Sequence, residues 1–252
     1  MRGFAFAIVS GTAIVLAASG IGFAADMPVK GPVYKAPPMV APNWTGFYFG
    51  GHVGYGWASD TATMLVGNVA FPVGSAWPIN SNGVLGGVQT GFNYQVNNWV
   101  FGVEGDFSWT SANGNATLIS PLVAGVTSTA TAKYESYATV TGRVGYAWDS
   151  WLVYAKSGGA FARVEYGGSS FIPRTGTVVA SPSSDTLSGW TVGGGLEYGF
   201  LNNWSARAEY NYLDFGATQR AFITAGVVGP ATNFDTHVHM VKFGLNYRFG
   251  MR

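Results

Sequence analysis

The sequence predicts an all-β protein, an eight-stranded antiparallel up-and-down transmembrane β-barrel. Three observations carry that reading. From Gly46 onward, large apolar residues alternate with small or polar ones, the period-two mark of strands with unlike faces. Only 10% of residues are charged while 15% are aromatic, against about 25% charged in soluble domains. Finally, short turn-prone connections alternate with long ones, as they do when strands run between a periplasmic and an extracellular side.

The elements follow in order. Met1-Arg2-Gly3 is a short basic start, and an apolar run extends from Phe4 to Phe23. Small residues at Gly22 and Ala24 occupy the −3 and −1 positions of a signal-peptidase site, which predicts a signal peptide over 1–24. A retained transmembrane helix is the competing reading, because about 20 apolar residues suffice to span. No second apolar helix follows it. Residues 25–43 contain DMPVKGPVYKAPPMVAP. Proline at that density excludes a helix or an inner strand and predicts an extended periplasmic linker. Residues 44–252 form the barrel.

Eight segments show strand periodicity: 47–57, 84–96, 99–109, 134–148, 151–165, 188–200, 204–213 and 237–249. Each reaches the roughly 9–11 residues that a tilted strand needs to cross a bilayer. In the first, Phe47, Phe49, Val53, Tyr55 and Trp57 share one face, and Tyr48, His52 and several glycines share the other. Asn97-Asn98, Asp149-Ser150 and Leu201-Asn202-Asn203 are tight turns. They are placed on the periplasmic side. The connections near 58–83, 110–133, 166–187 and 214–236 are long, rich in Ser, Thr, Gly, Asn and Pro, and predicted to be extracellular loops.

Trp44, Trp99, Trp151 and Trp204 each open an odd-numbered strand. That repeat predicts a periplasmic aromatic girdle. The alternative is the core tryptophans of a soluble sandwich. Turning the apolar face to lipid places Glu104, Asp106, Arg143, Lys156, Glu197, Arg207, Glu209, Lys242 and Arg248 inside. The parity is constrained, since Arg or Lys on the lipid face near the midplane costs about 2–4 kcal/mol. Two readings of this lumen network stand: pore-lining groups that select a small solute, or paired charges that fill a narrow barrel. Eight strands leave an interior just wide enough for side chains.

Other chemistry finds little footing. A net charge of +1 gives no field for nucleic acid. With no cysteine, disulfides, thiol nucleophiles and Cys-ligated zinc are excluded. No G-x-S-x-G or H-E-x-x-H motif occurs, and Gly193-Gly194-Gly195 falls within a strand. A Ser–His–Asp set assembled in space stays open. His52 points inward. His237 and His239 share a face at the start of the last strand, which reads either as a metal or haem ligand pair or as polar residues at the extracellular rim. No cofactor or metal is assigned.

The signal ending FAAD, the opening NWTGFYFGGHVGYGW, the internal WLVYAKSGGAFARV and the closing HVHMVKFGLNYRF resemble the outer-membrane immunogenic, porin-like proteins of rhizobium-type alphaproteobacteria. The resemblance spans the mature chain. It implies an eight-stranded barrel like the membrane domain of outer membrane protein A, residence in the Gram-negative outer membrane, and roles in envelope integrity and surface antigenicity. It also implies haem binding in some relatives and no catalytic residues. Barrels of this kind end in an aromatic assembly signal, which Leu245, Tyr247 and Phe249 match, although Gly250-Met251-Arg252 follow. Expected partners are outer-membrane lipid and lipopolysaccharide and the outer-membrane assembly machinery, with peptidoglycan or neighbouring envelope proteins as further candidates. The expected function is that of a structural surface barrel, not an enzyme. A narrow porin and a haem or ligand receptor are the alternatives.

Overall fold

The computed structural model describes residues 43–249 apart from 69, 202, 225 and 226. The predicted signal peptide, the linker up to 42 and the tail Gly250-Met251-Arg252 lie outside the described residues. Nine strands are present: β1 (Gly46–Met64), β2 (Ala76–Val96), β3 (Trp99–Thr110), β4 (Asn113–Ile119), β5 (Thr127–Trp148), β6 (Trp151–Ile172), β7 (Gly176–Leu201), β8 (Trp204–Thr224) and β9 (Val227–Phe249). β3 and β4 pair in succession with the same neighbour, β5. They are therefore two pieces of one crossing, interrupted at Ser111-Ala112. Every neighbouring pair is antiparallel, and β1 pairs with both β2 and β9. The result is a closed ring of eight staves.

The turns form for local reasons. Asn97 and Asp149 adopt left-handed φ angles of 54° and 48°, a conformation that Asn and Asp tolerate better than other side chains. The long connections differ from expectation. Much of 58–83, 110–133, 166–187 and 214–236 continues as strand, leaving 65–75, 111–112, 120–126 and 173–175 between strands among the described residues. These segments contain many Thr and Val residues, which suit a paired strand, among small and polar residues that do not favour one. Their outward residues meet water and not lipid, so the apolar contrast that marks a strand in sequence fades. Thr127–Lys133, for example, reads TSTATAK.

Two outward aromatic belts bound the lipid-facing wall. The periplasmic belt includes Trp99, Trp148, Trp151, Tyr198, Trp204 and Phe249; the extracellular belt includes Tyr55, Trp57, Trp109, Trp190 and Tyr210. Ten residues separate Trp99 from Trp109 on β3. At about 3.3 Å per residue and a tilt near 40°, that spacing spans about 25 Å, the height of an outer-membrane apolar band.

Candidate functional site: the barrel interior

The interior has three levels. At the periplasmic end Trp44, Val100, Ala147, Leu152 and Tyr154 form a small apolar cluster. A charged layer lies above it. Above that, and above the extracellular belt, a larger apolar core fills the space. It includes Met64, Trp77, Ile79, Tyr134, Tyr137, Tyr166, Phe234 and Met240, together with Phe71 from the 65–75 connection.

The structure places all nine charged residues of the predicted lumen set in the interior, each buried. Glu104 on β3 is the hub. Its Oε2 accepts from Arg207 Nη1 at 2.6 Å and from the Tyr48 hydroxyl at 2.6 Å, and its Oε1 accepts from Lys156 Nζ at 2.8 Å. Glu209 faces Lys156 at 2.7 Å and accepts from Tyr154 at 2.7 Å. Asp106 accepts from Lys242 at 2.9 Å. Glu197 accepts from Arg143 at 3.1 Å, Asn246 at 2.9 Å and Ser205 at 2.5 Å. Arg143 also lies over the Tyr154 ring, 4.3 Å from its centroid. Eight of these charges stay buried because each meets an opposite charge and further hydrogen bonds. Arg248 stands apart from the carboxylates, its guanidinium 4.2 Å from the centroid of the Trp44 ring.

That last contact corrects the predicted girdle. Trp44 is fully buried inside the barrel, whereas Trp99, Trp151 and Trp204 face outward. Each outward indole packs on the tyrosine opposite it in the next stave: Trp99 on Tyr146, Trp151 on Tyr198 and Trp204 on Tyr247, at centroid distances of 5.6, 4.7 and 5.2 Å. Trp44 has no such role because it shares even parity with the inward residues Tyr48 and His52. Leu245, Tyr247 and Phe249 share the outward face, with the last two rings 5.0 Å apart.

His52 is buried between Gln89 and Ser108, with Nδ1 2.5 Å from Gln89 Oε1 and Nε2 2.8 Å from Ser108 Oγ. Asp106 is also near, at 3.6 Å. These are the residue types of a hydrolytic triad, but the imidazole Nδ1 engages the amide and not the carboxylate. The Ser108 hydroxyl is buried and donates to Asp106 at 3.2 Å. The chain continues from Gln89 Nε2 to Asn246 Oδ1 at 2.7 Å, so the arrangement packs the lumen. His237 and His239 face outward at the extracellular belt. Their Nδ1 atoms lie 3.0 Å from the Tyr212 hydroxyl and 2.7 Å from the Tyr210 hydroxyl, and His239 stacks on Trp57. Among the described residues no group of three His, Asp or Glu side chains is placed to hold a metal.

The sequence reading missed the upper apolar core and the acid within it. Asp60, buried, accepts from the Tyr134 hydroxyl at 2.6 Å. A signal existed: above the belt the apolar parity reverses, so Val238 and Met240 point inward beside outward His237 and His239.

Comparison with known proteins agrees with this geometry. Residues 32–249 match the family model described as the outer membrane protein beta-barrel domain. The chain is 33% identical over 232 residues to the 31 kDa outer-membrane immunogenic protein of Brucella melitensis, an alignment covering 90% of this chain and 92% of that one. It is 27% identical to the 25 kDa outer-membrane immunogenic protein of Brucella abortus, covering 94% and 95%. It is 30% identical to the 22 kDa outer membrane protein of Rhizobium leguminosarum, covering 72% and 69%.

Proposed function

From the premise that this chain belongs to the outer membrane protein beta-barrel domain family, we propose that it is a closed, non-enzymatic structural barrel that contributes to envelope integrity and displays its extended hairpins as surface antigen. Its place is the bacterial outer membrane, as a surface barrel. One observation carries the structural reading: the cross-lumen charged layer lies beneath an apolar core rich in tyrosine and phenylalanine. An ion path would need a continuous polar lining, and the apolar level offers no ligands to replace hydration. The lumen charges therefore act as ties between staves. The outward belts engage outer-membrane lipid and lipopolysaccharide, and the Leu245, Tyr247 and Phe249 face serves the assembly machinery. The narrow-porin reading uses the same charges but has to cross the apolar level.

The test is planar-bilayer conductance of the refolded chain, with folding scored by heat-modifiable gel mobility. A folded, silent barrel is the expected outcome. Stable ion-selective openings that change on Glu104→Gln would replace this reading with the porin.

A further inference from the structure

Within the membrane the hydrogen-bonded ring is complete, and above the extracellular belt it splits along one side. β7 and β8 pair from Leu201↔Trp204 up to Trp190↔Asp214, and among the described residues no rung lies above that pair. Both strands continue regardless. β7 stays paired to β6 as far as Ile172↔Gly176, and β8 stays paired to β9 as far as Thr224↔Val227. Each thus carries a backbone edge that its former neighbour no longer covers.

The split is written into the local sequence. The β8–β9 register shifts between Asp214 and Ala217, Gly216 adopts φ 61°, and the Asp214 carboxylate accepts the Gly216 N–H at 2.8 Å. A left-handed glycine fixed by a side-chain bond makes a bulge, which bends its strand and ends pairing. At the split itself the strands still touch, since a Cβ on Gly189 would fall 2.0 Å from the Asp214 carbonyl oxygen. The other upper seam, between β2 and β4, has the single rung Asn82↔Asn113. It is tied by Ser120 Oγ donating to the Ala70 carbonyl at 2.5 Å and by the Trp77 indole N–H donating to the Ser128 carbonyl at 3.2 Å.

A strand edge offers alternating N–H and C=O groups at fixed spacing, which another extended backbone matches. The upper β7 segment contains Pro182, which cannot donate and protects an edge. Ala217–Thr224 of β8 contains no proline.

We propose that the β8 edge over Ala217–Thr224 is a strand-addition site for an extended polypeptide segment arriving from outside the cell. The proposal rests on the surface-display reading and names the partner class for it. The spacing on offer is that of a main chain, so the occupant is a polypeptide and not a sugar or an acyl chain. A second copy fits poorly. Two barrels in one membrane carry β8 in the same direction, so two β8 edges meet only in parallel, the weaker pairing, and the antiparallel β7 edge of a second copy carries Pro182. A free segment takes the antiparallel direction. Phe215 and Leu187 are buried beside the split, so an apolar side chain on the inward face of the added strand is favoured.

The experiment uses the refolded full chain in phosphatidylcholine vesicles and a fluorescent peptide copying residues 176–189 with Pro182→Thr. That segment is the upper part of β7, the strand whose lower part, Trp190 to Leu201, pairs antiparallel with β8. The expected result is saturable binding, with hydrogen-exchange protection gained over 217–224. The same peptide N-methylated at alternate residues should bind about tenfold or more weakly, through loss of two or more main-chain hydrogen bonds. Absence of binding at millimolar peptide, equal binding of the methylated peptide, or protection confined to other segments would overturn the proposal. Conductance and gel mobility are scored on the same vesicles. A conducting barrel would therefore defeat the surface-display reading separately from the result at the edge.

Discussion

Arg207 Nη1 lies 2.6 Å from Glu104 Oε2, and the two residues sit on staves that are not neighbours in the ring. The contact crosses the lumen. Arg143 and Lys156, from two further staves, reach the same carboxylate at 3.4 and 2.8 Å. Ladder hydrogen bonds hold each stave only to its neighbours, so this hub sets the separation of opposite walls. Three cations around one buried carboxylate also make its loss asymmetric. Removing Glu104 leaves the layer with excess positive charge: Arg143 keeps Glu197 at 3.1 Å and Lys156 keeps Glu209 at 2.7 Å, but Arg207 keeps only Glu209 at 3.6 Å and Asp106 at 3.8 Å, whereas removing any one cation leaves Glu104 with two others.

Glu104→Gln is therefore expected to destabilise the barrel by up to about 3–5 kcal/mol, the cost of removing one partner of a buried ion pair, with Arg207 the cation left least well paired. The measurement is the urea midpoint of heat-modifiable mobility in vesicles. Lys156→Met should cost less, because Glu104 keeps Arg207 and Arg143. Equal midpoints for Glu104→Gln and the parent would mean that the hub contributes no stability.

The same hub explains how far the site was legible in sequence. Charge on the lipid face is costly, so Glu104, Asp106, Arg207, Glu209 and the rest leave one acceptable parity, and alternation alone turns them inward. Which carboxylate meets which cation depends on strand stagger, a property of the folded ring. Trp44 misled because the repeat of a tryptophan at the start of each odd-numbered strand links it to Trp99, Trp151 and Trp204, while its parity belongs with Tyr48 and His52. The strand extensions above the belt were hidden for another reason. Outward Ser59, Thr61, Asn80 and Asn113 are as polar as a loop, and only pairing separates them from one. The split at Trp190↔Asp214 depends on a register shift, although Asp214-Phe215-Gly216 is a readable bulge sequence.

Trp44 and Trp204 make opposite predictions for spectroscopy. Brominated lipid quenches indoles that face the bilayer, so Trp204→Phe should lower the quenched fraction of the emission. Trp44→Phe should raise it, by removing an emitter that lipid cannot reach. Trp44→Ala should also cost about 3–5 kcal/mol, as large aromatic deletions in a packed core do, and part of that loss is the stacking with Arg248. A fall in the quenched fraction on Trp44→Phe would return Trp44 to the girdle.

Two glycines in adjacent staves differ sharply in what they tolerate. A Cβ on inward Gly158 would lie 2.0 Å from the Val140 carbonyl oxygen and 2.7 Å from Thr141 Cα, while a Cβ on outward Gly142 meets nothing within 4 Å. Gly158→Val should cost at least about 2 kcal/mol through overpacking against backbone. Gly142→Val should be neutral or stabilising by up to about 1 kcal/mol, since a β-branched residue suits a strand. Unfolding midpoints of the two variants decide it, and equal effects would contradict the assigned facing of β5 and β6.

Phe249 ends β9 on the lipid face, 63% exposed, with its ring against Tyr247 and no interior contact to lose. Its apolar surface supports the finished barrel weakly, so a role in assembly and a role in stability come apart at this position. Phe249→Ala should slow appearance of the folded, heat-modifiable form in cells or with purified assembly machinery, by about tenfold if the exposed aromatic is the feature read. The urea midpoint of the barrel, once folded, should shift by under about 1 kcal/mol, as is usual for a surface position. Phe249→Tyr should restore the assembly rate, because it keeps an aromatic ring at the interface. A midpoint loss that accounts for the whole defect would make Phe249 a structural residue of the β1–β9 seam, where it stands opposite Phe47.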